Sequence, residues 1–255
     1  MPGTKRRNQE PEVTIESRAA AALAALTKLG TKRDRDALAR YGITATNALG
    51  VRMGAIQKLA KSIGKSHELA GALWKSGVYE ARLLASYVDE PERVTQAQMD
   101  RWCRDFDNWG ICDTVCFVLF DRTPHAWAMI AKWATRKNEY EKRAAFALLA
   151  SLAGHDKLSG DAPFLDSLAL VERASDDGRN FVWKGVSWAL RRIGGRSAAL
   201  HEAALSLSKR LAASDEPAAR KIGKDAIRDL TSAATLKRLG RAAKRPPTSS
   251  APRSS

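Results

Sequence analysis

Cysteine is scarce in this chain of 255 residues, which holds only Cys103, Cys112 and Cys116. An odd, clustered set of thiols argues against a disulfide framework and for a reducing compartment. Long apolar runs are missing as well. No stretch approaches the roughly eighteen uninterrupted apolar residues of a membrane-crossing helix. The opening MPGTKRRNQEPEV has no apolar core of the kind a secretory leader carries. Alternating Val/Ile/Thr runs of strand period are also lacking, so there is little from which to build a sheet. These absences leave a soluble, intracellular, all-α protein as the expectation.

Acid is in short supply too. Twenty-eight Asp and Glu face forty-three Lys and Arg, for a formal net charge of +15. Residues 236–255 carry six of the basic side chains and no acid, and residues 1–15 add +1, so the middle of the chain holds +8. A body that is basic independently of its tails favours a polyanionic partner, of which nucleic acid is the commonest. Residues 1–15 and 236–255 are polar and punctuated by Pro and Ser (RPPTSSAPRSS). They read as disordered tails around a folded region over 16–235.

Within that region apolar residues recur at three and four, as in EARLLASYV, KRAAFALLASLA and FVWKGVSWALRRIG. The helices come in pairs. First helices are expected to end near Trp74, Trp133 and Arg173, and each is followed by a short polar break and a second helix. The second helices carry Arg82, Arg143, Lys184 and Lys221 near their starts. From Arg143 the steps are 41 and 37 residues, the period of a HEAT-type two-helix repeat. The expected architecture is a curved solenoid of helix pairs whose second helices line a basic concave groove.

The stretch DNWGICDTVC, at 107–116, lies midway between Arg82 and Arg143, where another second helix is due. It sets Trp109 four residues before Asp113 and Cys112 four before Cys116, and each spacing puts a pair on one helix face. The cysteines lack a paired ligand set, the nearest histidine being His125, and no base is apparent for a nucleophilic thiol. They read as small core residues, and neither a metal nor a cofactor is expected. Seven tryptophans are many for this composition. Trp74, Trp102, Trp127 and Trp133 fall on first helices or at their ends and most read as core, whereas Trp109, Trp183 and Trp188 sit beside charge on second helices. Trp188 precedes Arg191 by three, so indole and guanidinium share a face. A carboxylate such as Asp113 opposes phosphate binding in a basic groove. It acts either as an anion stabilising a developing positive charge or as an ion-pair partner, with Arg143 on the next repeat the candidate.

Over about 39–230 the chain resembles the AlkD-like alkylpurine DNA glycosylases, a HEAT-repeat family of DNA alkylation repair proteins. The resemblance is strongest in HELAGALWKSGVYEARLLA, NWGICDTVC, YEKRAAFALLA and RNFVWKGVSWALRRIG. It implies a groove holding duplex DNA with cationic N3- or N7-alkylated purines, whose glycosidic bond is hydrolysed without metal beside an Asp and two Trp. On this resemblance Trp188 is a sugar-facing indole and Arg191 a phosphate contact. Arg143 is a further groove cation, and Tyr41 matches a family tyrosine by its spacing to NALGVR; Lys184 joins the DNA-binding set by its place in the repeat register. The family pattern Trp-Asp-x-Val-Asp admits two registers. By spacing, Trp109 and Asp113 are the catalytic pair. Aligned on Asp-Thr-Val, Cys116 takes the aspartate's place. A three-residue shift turns a helix position by about 60°, so the registers aim different residues at the DNA. The expected protein is a monomeric, nucleoid-associated cytoplasmic glycosylase acting on double-stranded DNA. The alternatives are a HEAT-repeat protein that binds damaged or branched DNA without excision and a protein-binding scaffold.

Overall fold

The computed structural model describes residues 14–243, and all the regular structure in them is helical. Residues 1–13 and 244–255, the greater part of the expected tails, lie outside the described residues. The folded region expected as one repeat domain forms two compact units that divide between Val94 and Thr95.

The first unit holds α1 (Ile15–Leu29), α2 (Lys32–Ala37), α3 (Met53–Ile63), α4 (His67–Lys75) and α5 (Tyr79–Val88). Ser66 caps α4 by accepting from Leu69 N at 3.4 Å, and Gly77 makes the break before α5 at φ 69°. α5 packs on α3 and α4. Its buried Glu80 accepts three backbone N–H groups from the segment before α3. They are Leu49 N at 2.8 Å, Gly50 N at 2.7 Å and Val51 N at 3.2 Å. The carboxylate thereby satisfies donors that no helix or strand would. Gly50 is needed there: its φ is 82°, and a Cβ would lie 2.2 Å from the Thr31 carbonyl oxygen.

The second unit opens with α6 (Gln96–Arg104) and α7 (Trp109–Val118), then α8 (Ala126–Trp133) and α9 (Glu139–His155). Next come α10 (Ala162–Arg173) and α11 (Asn180–Gly194), then α12 (Ala198–Ala212) and α13 (Pro217–Leu230), followed by α14 (Ala233–Ala243). The helix starts are written in the sequence. Asn108, Asn138 and Ser197 cap α7, α9 and α12 with their side chains, and Pro217 opens α13. α8 packs on α9, α10 on α11 and α12 on α13. In turn α7, α9, α11 and α13 pack successively on one another, and α6 with α8, and α10 with α12, form the other layer. This is the layered stacking of HEAT-like helix pairs. α9 runs through the middle, with every residue from Arg143 to Ala153 buried, as its apolar residues on all sides require.

Trp74, Trp102 and Trp133 are buried, as expected, while Trp127 is half-buried with its ring edge-on to Phe164. Trp133 donates its indole N–H to Asp100 Oδ1 at 2.8 Å. At the far end, α14 carries regular helix eight residues into the segment read as tail. Thr235 and Leu239, four residues apart, are the side chains that α14 turns inward, the first buried and the second half-buried.

Candidate nucleic-acid interface

α7, α9, α11 and α13 together wall a cavity of about 320 Å³ in the second unit. Its lining is Asp113 from α7, Arg143 from α9, Asp225 from α13, and Trp183, Lys184, Ser187, Trp188 and Arg191 from α11. The volume falls at the small end of ligand-sized clefts, which run from roughly 300 to 1,000 Å³.

Asp113 and Arg143 meet here as a two-pronged pair. Arg143 Nε donates to Asp113 Oδ1 at 2.8 Å and Nη2 to Oδ2 at 2.6 Å, while Nη1 donates to the Phe181 carbonyl oxygen at 2.8 Å. One guanidinium thus ties α7 and α9 to α11, committing three of its five N–H donors. Arg143 is 7% exposed, and its fixed hydrogen bonds leave it as a clamp on Asp113 more than a cation offered to phosphate. Burial pushes the Asp113 carboxyl above its ordinary value, against the opposing pull of Arg143. Burial disfavours the charge on Arg143, and Asp113 more than compensates, raising it. The carboxylate keeps further lone-pair sites beyond the two that Arg143 occupies.

The structure separates the two registers of α7. Cys116 is fully buried, with its Sγ 3.6 Å from the Ala144 carbonyl oxygen of α9. Cys112 is likewise buried, 3.6 Å from the Tyr140 carbonyl oxygen. Asp113 is the residue of α7 that reaches the cavity. Cys103, Cys112 and Cys116 are all free thiols in the core, and burial raises those of Cys103 and Cys116. Among the described residues no group of three or more His, Cys, Asp or Glu is placed to hold a metal ion.

The other expected residues distribute unevenly. Trp188, Lys184 and Arg191 share the cavity with Asp113 and Arg143. Trp109 is the first residue of α7, half-buried and one turn before Asp113, but it does not line the cavity. Tyr41 belongs to the first unit, where it ends the short turn Leu38–Tyr41 with its side chain exposed. Arg191 Nε lies 3.5 Å from Asp225 Oδ2, so the expected phosphate contact already has an acidic neighbour.

Sequence reasoning passed over Asp225 and Ser187, and it set Trp183 beside charge on a second helix without assigning it to the site. Ser187 donates to Asp225 Oδ2 at 2.6 Å. The signal was present for the α11 residues, because Trp183, Ser187 and Arg191 recur every four residues along one face. Trp183 also receives cations on its ring. The Lys221 ammonium lies 3.9 Å from the ring centroid and that of Lys184 lies 5.8 Å away.

The model of the DNA alkylation repair enzyme family matches residues 22–239. The chain belongs to that family. Among solved structures, a protein from a family related to the HEAT-like repeat DNA glycosylases, with affinity for branched DNA structures, matches with a TM-score of 0.69. It is 21% identical, and the match covers 87% of this chain and 95% of that one. A designed armadillo repeat protein in complex with the peptide (KR)4 matches at a TM-score of 0.37 with 13% identity, covering 86% of each chain. No curated protein matches significantly. For this member of the DNA alkylation repair family, the fold expected from helix spacing is the fold found. No described helix is long and apolar enough to cross a membrane.

Proposed function

We propose that the protein is a DNA glycosylase that hydrolyses the N-glycosidic bond of cationic N3- or N7-alkylated purines in duplex DNA. The observation that carries the reading is the single carboxylate of α7, Asp113, held in a cavity beside Trp188 and among basic side chains. An alkylated purine bears a positive charge that its departure discharges. As the bond to the sugar breaks, its electrons return to the ring, the base leaves neutral, and positive charge passes to the deoxyribose. Asp113 stabilises that oxocarbenium-like sugar. Water then adds at the same carbon and gives up a proton. Arg143 fixes the carboxylate, so no reorganisation is needed as charge develops. Trp188 offers an indole face to the sugar, and Lys184, Arg191 and the chain's excess of basic residues hold phosphates.

The bidentate pairing of Asp113 favours a second reading, in which the aspartate is structural and the protein binds damaged or branched DNA without excision. One comparison separates the two: release of 7-methylguanine and 3-methyladenine from methylated duplex by wild type and by Asp113→Asn. Under the first reading the substitution cuts release by about 10²–10³-fold and leaves duplex affinity equal or higher, since a negative charge is gone. Folded, DNA-binding wild type that releases neither base would refute the first reading and leave the second.

A further inference from the structure

We infer that Arg192 and Arg238 build a seat for one backbone phosphate of bound DNA, a helical turn beyond the cavity. The inference rests on the reading that DNA lies along α7, α9, α11 and α13, and it does not require excision. Arg192 follows Trp188 by four residues on α11, which puts it on the face that lines the cavity. Its guanidinium fills the space that a Cβ on Gly154, in the last turn of α9, would take. Arg238 of α14 repeats the arrangement at Gly195, where α11 ends. Each of these two helices thus carries a glycine at its C-terminal end, and each glycine makes room for a guanidinium from a later helix.

Cations often serve a helix C-terminus by donating to its open carbonyls. Here those carbonyls are already taken. At the end of α9, Arg196 donates to the Ala153 and Asp156 carbonyl oxygens, and Lys157 donates to that of Gly154 at 2.6 Å. At the end of α11, Gly195 N, Arg196 N and His201 Nδ1 donate to the carbonyl oxygens of Arg191, Ile193 and Gly194. Among the described residues Arg192 forms no hydrogen bond or ion pair, and Arg238 forms one hydrogen bond, to Thr235 Oγ1 at 3.4 Å. Burial and then the Arg238 charge push the Arg192 guanidinium below its ordinary value, and the pull of Asp229 offsets them only in part. Neighbouring Arg191, by contrast, meets Asp225 at 3.5 Å. Two forked cations held together with so little acid suit an oxyanion that accepts from both. A phosphodiester is such an anion, so α14 adds a placed contact where composition alone gives diffuse charge.

The test is a double-mutant cycle on duplex binding, with Arg192→Gln, Arg238→Gln and the double variant titrated over a range of salt. Each single change should weaken binding by about tenfold, the scale of one hydrogen bond to a charged group. The double variant should lose little more than either, because both side chains answer to one phosphate. Its salt slope should fall by about 0.9, the share of one phosphate, against about 1.8 for two. Additive losses, or a slope that does not change, overturn the inference. Arg238→Gln should leave the melting temperature equal or higher, since a like charge is gone; a clear drop would make Arg238 a structural cap and overturn it too. Arg238 is exposed, so this variant keeps the test usable should Arg192→Gln unfold, and unchanged affinity there is also fatal. Inorganic pyrophosphate probes the other source of the same chemistry. If it raises the melting temperature of wild type alone while duplex affinity ignores both substitutions, the site belongs to a free anion and the DNA contact is wrong. Release of base from methylated duplex is scored separately. The expected cycle without release sinks the glycosylase reading and spares this one; release with an indifferent cycle does the reverse.

Discussion

Asp113 and Arg143 carry two consequences that can be measured apart. Substituting Arg143→Met removes the cation but leaves the carboxylate in a site that disfavours charge. The expected cost is about 3–5 kcal/mol, since breaking one side of a buried pair strands the other. Denaturant unfolding of the variant checks it; a loss below about 1 kcal/mol would mean that the pair contributes little. The second consequence concerns pH. Excision requires Asp113 ionised, and burial raises its carboxyl above the ordinary aspartate value of 3.8. The acid limb of the rate should therefore lie above that value, with activity falling as pH drops through it. The residual activity of Asp113→Asn should lack this limb. Of these two residues the sequence displayed both and suggested their pairing. It left open which of Asp113 and Cys116 faces outward, because α7 buries Gly110, Ile111, Cys112, Val115 and Cys116. A helix that is apolar around most of its circumference does not announce its open side.

At the scale of elements, the helix pairs were legible almost residue by residue. α4, α8 and α10 end at Lys75, Trp133 and Arg173, where the polar breaks begin. Caps such as Asn108 and Asn138 mark the starts because their side chains satisfy N–H groups the helix leaves open. The clasp of Glu80 on Leu49–Val51 and the meeting of Arg191 with Asp225 were not legible. Their partners lie about thirty residues or more apart, and no local period connects them. Close packing between helices was equally hidden. A Cβ on Gly223 of α13 would fall 2.3 Å from Ala212 N and 2.5 Å from the Ser208 carbonyl oxygen of α12. Alanine gains about 1 kcal/mol over glycine in helix propensity, but these contacts are with backbone, and overpacking costs roughly 1–3 kcal/mol. Gly223→Ala should therefore be net destabilising, by up to about 2 kcal/mol. At Gly185 of α11 the nearest atoms are 3.5 Å from the added carbon, an ordinary contact. Gly185→Ala should be neutral or mildly stabilising. Melting temperatures that move in the same direction for both would contradict this account of the packing.

For the molecule as a whole, charge sets the working conditions. The +15 excess predicts DNA affinity that falls steeply with added salt, because each phosphate contact releases bound counterions. Titrating duplex binding between low and physiological ionic strength checks it, and a flat response would exclude an electrostatic interface. The scarce acids are largely committed to holding the fold. Arg179 and Lys142 hold the Asp177 carboxyl well below the usual range, the closest contacts being 2.6 and 2.9 Å. Asp100 is lowered against the effect of its burial by Lys132, Trp133 and Arg136. In the unfolded chain these groups take up protons at ordinary values, near 3.8. Their stabilisation is therefore complete above that pH and lost as pH falls toward the folded values. Stability should hold through neutrality and drop below about pH 4, as followed by helical circular dichroism. Composition pointed to an anionic partner, and apolar spacing to the helical class. It did not give the two-unit division, because helix spacing is continuous across Val94.

The tie that Arg143 makes to Asp113 and to the Phe181 carbonyl also bears on inheritance. A lineage under no pressure to excise damaged bases would still be selected to keep this aspartate, since discarding it strands the arginine and loosens three helices. Retention of an acid at this position in a related chain is thus a record of folding first. The loss of a working centre would leave its earliest trace elsewhere, among side chains that touch DNA and brace nothing.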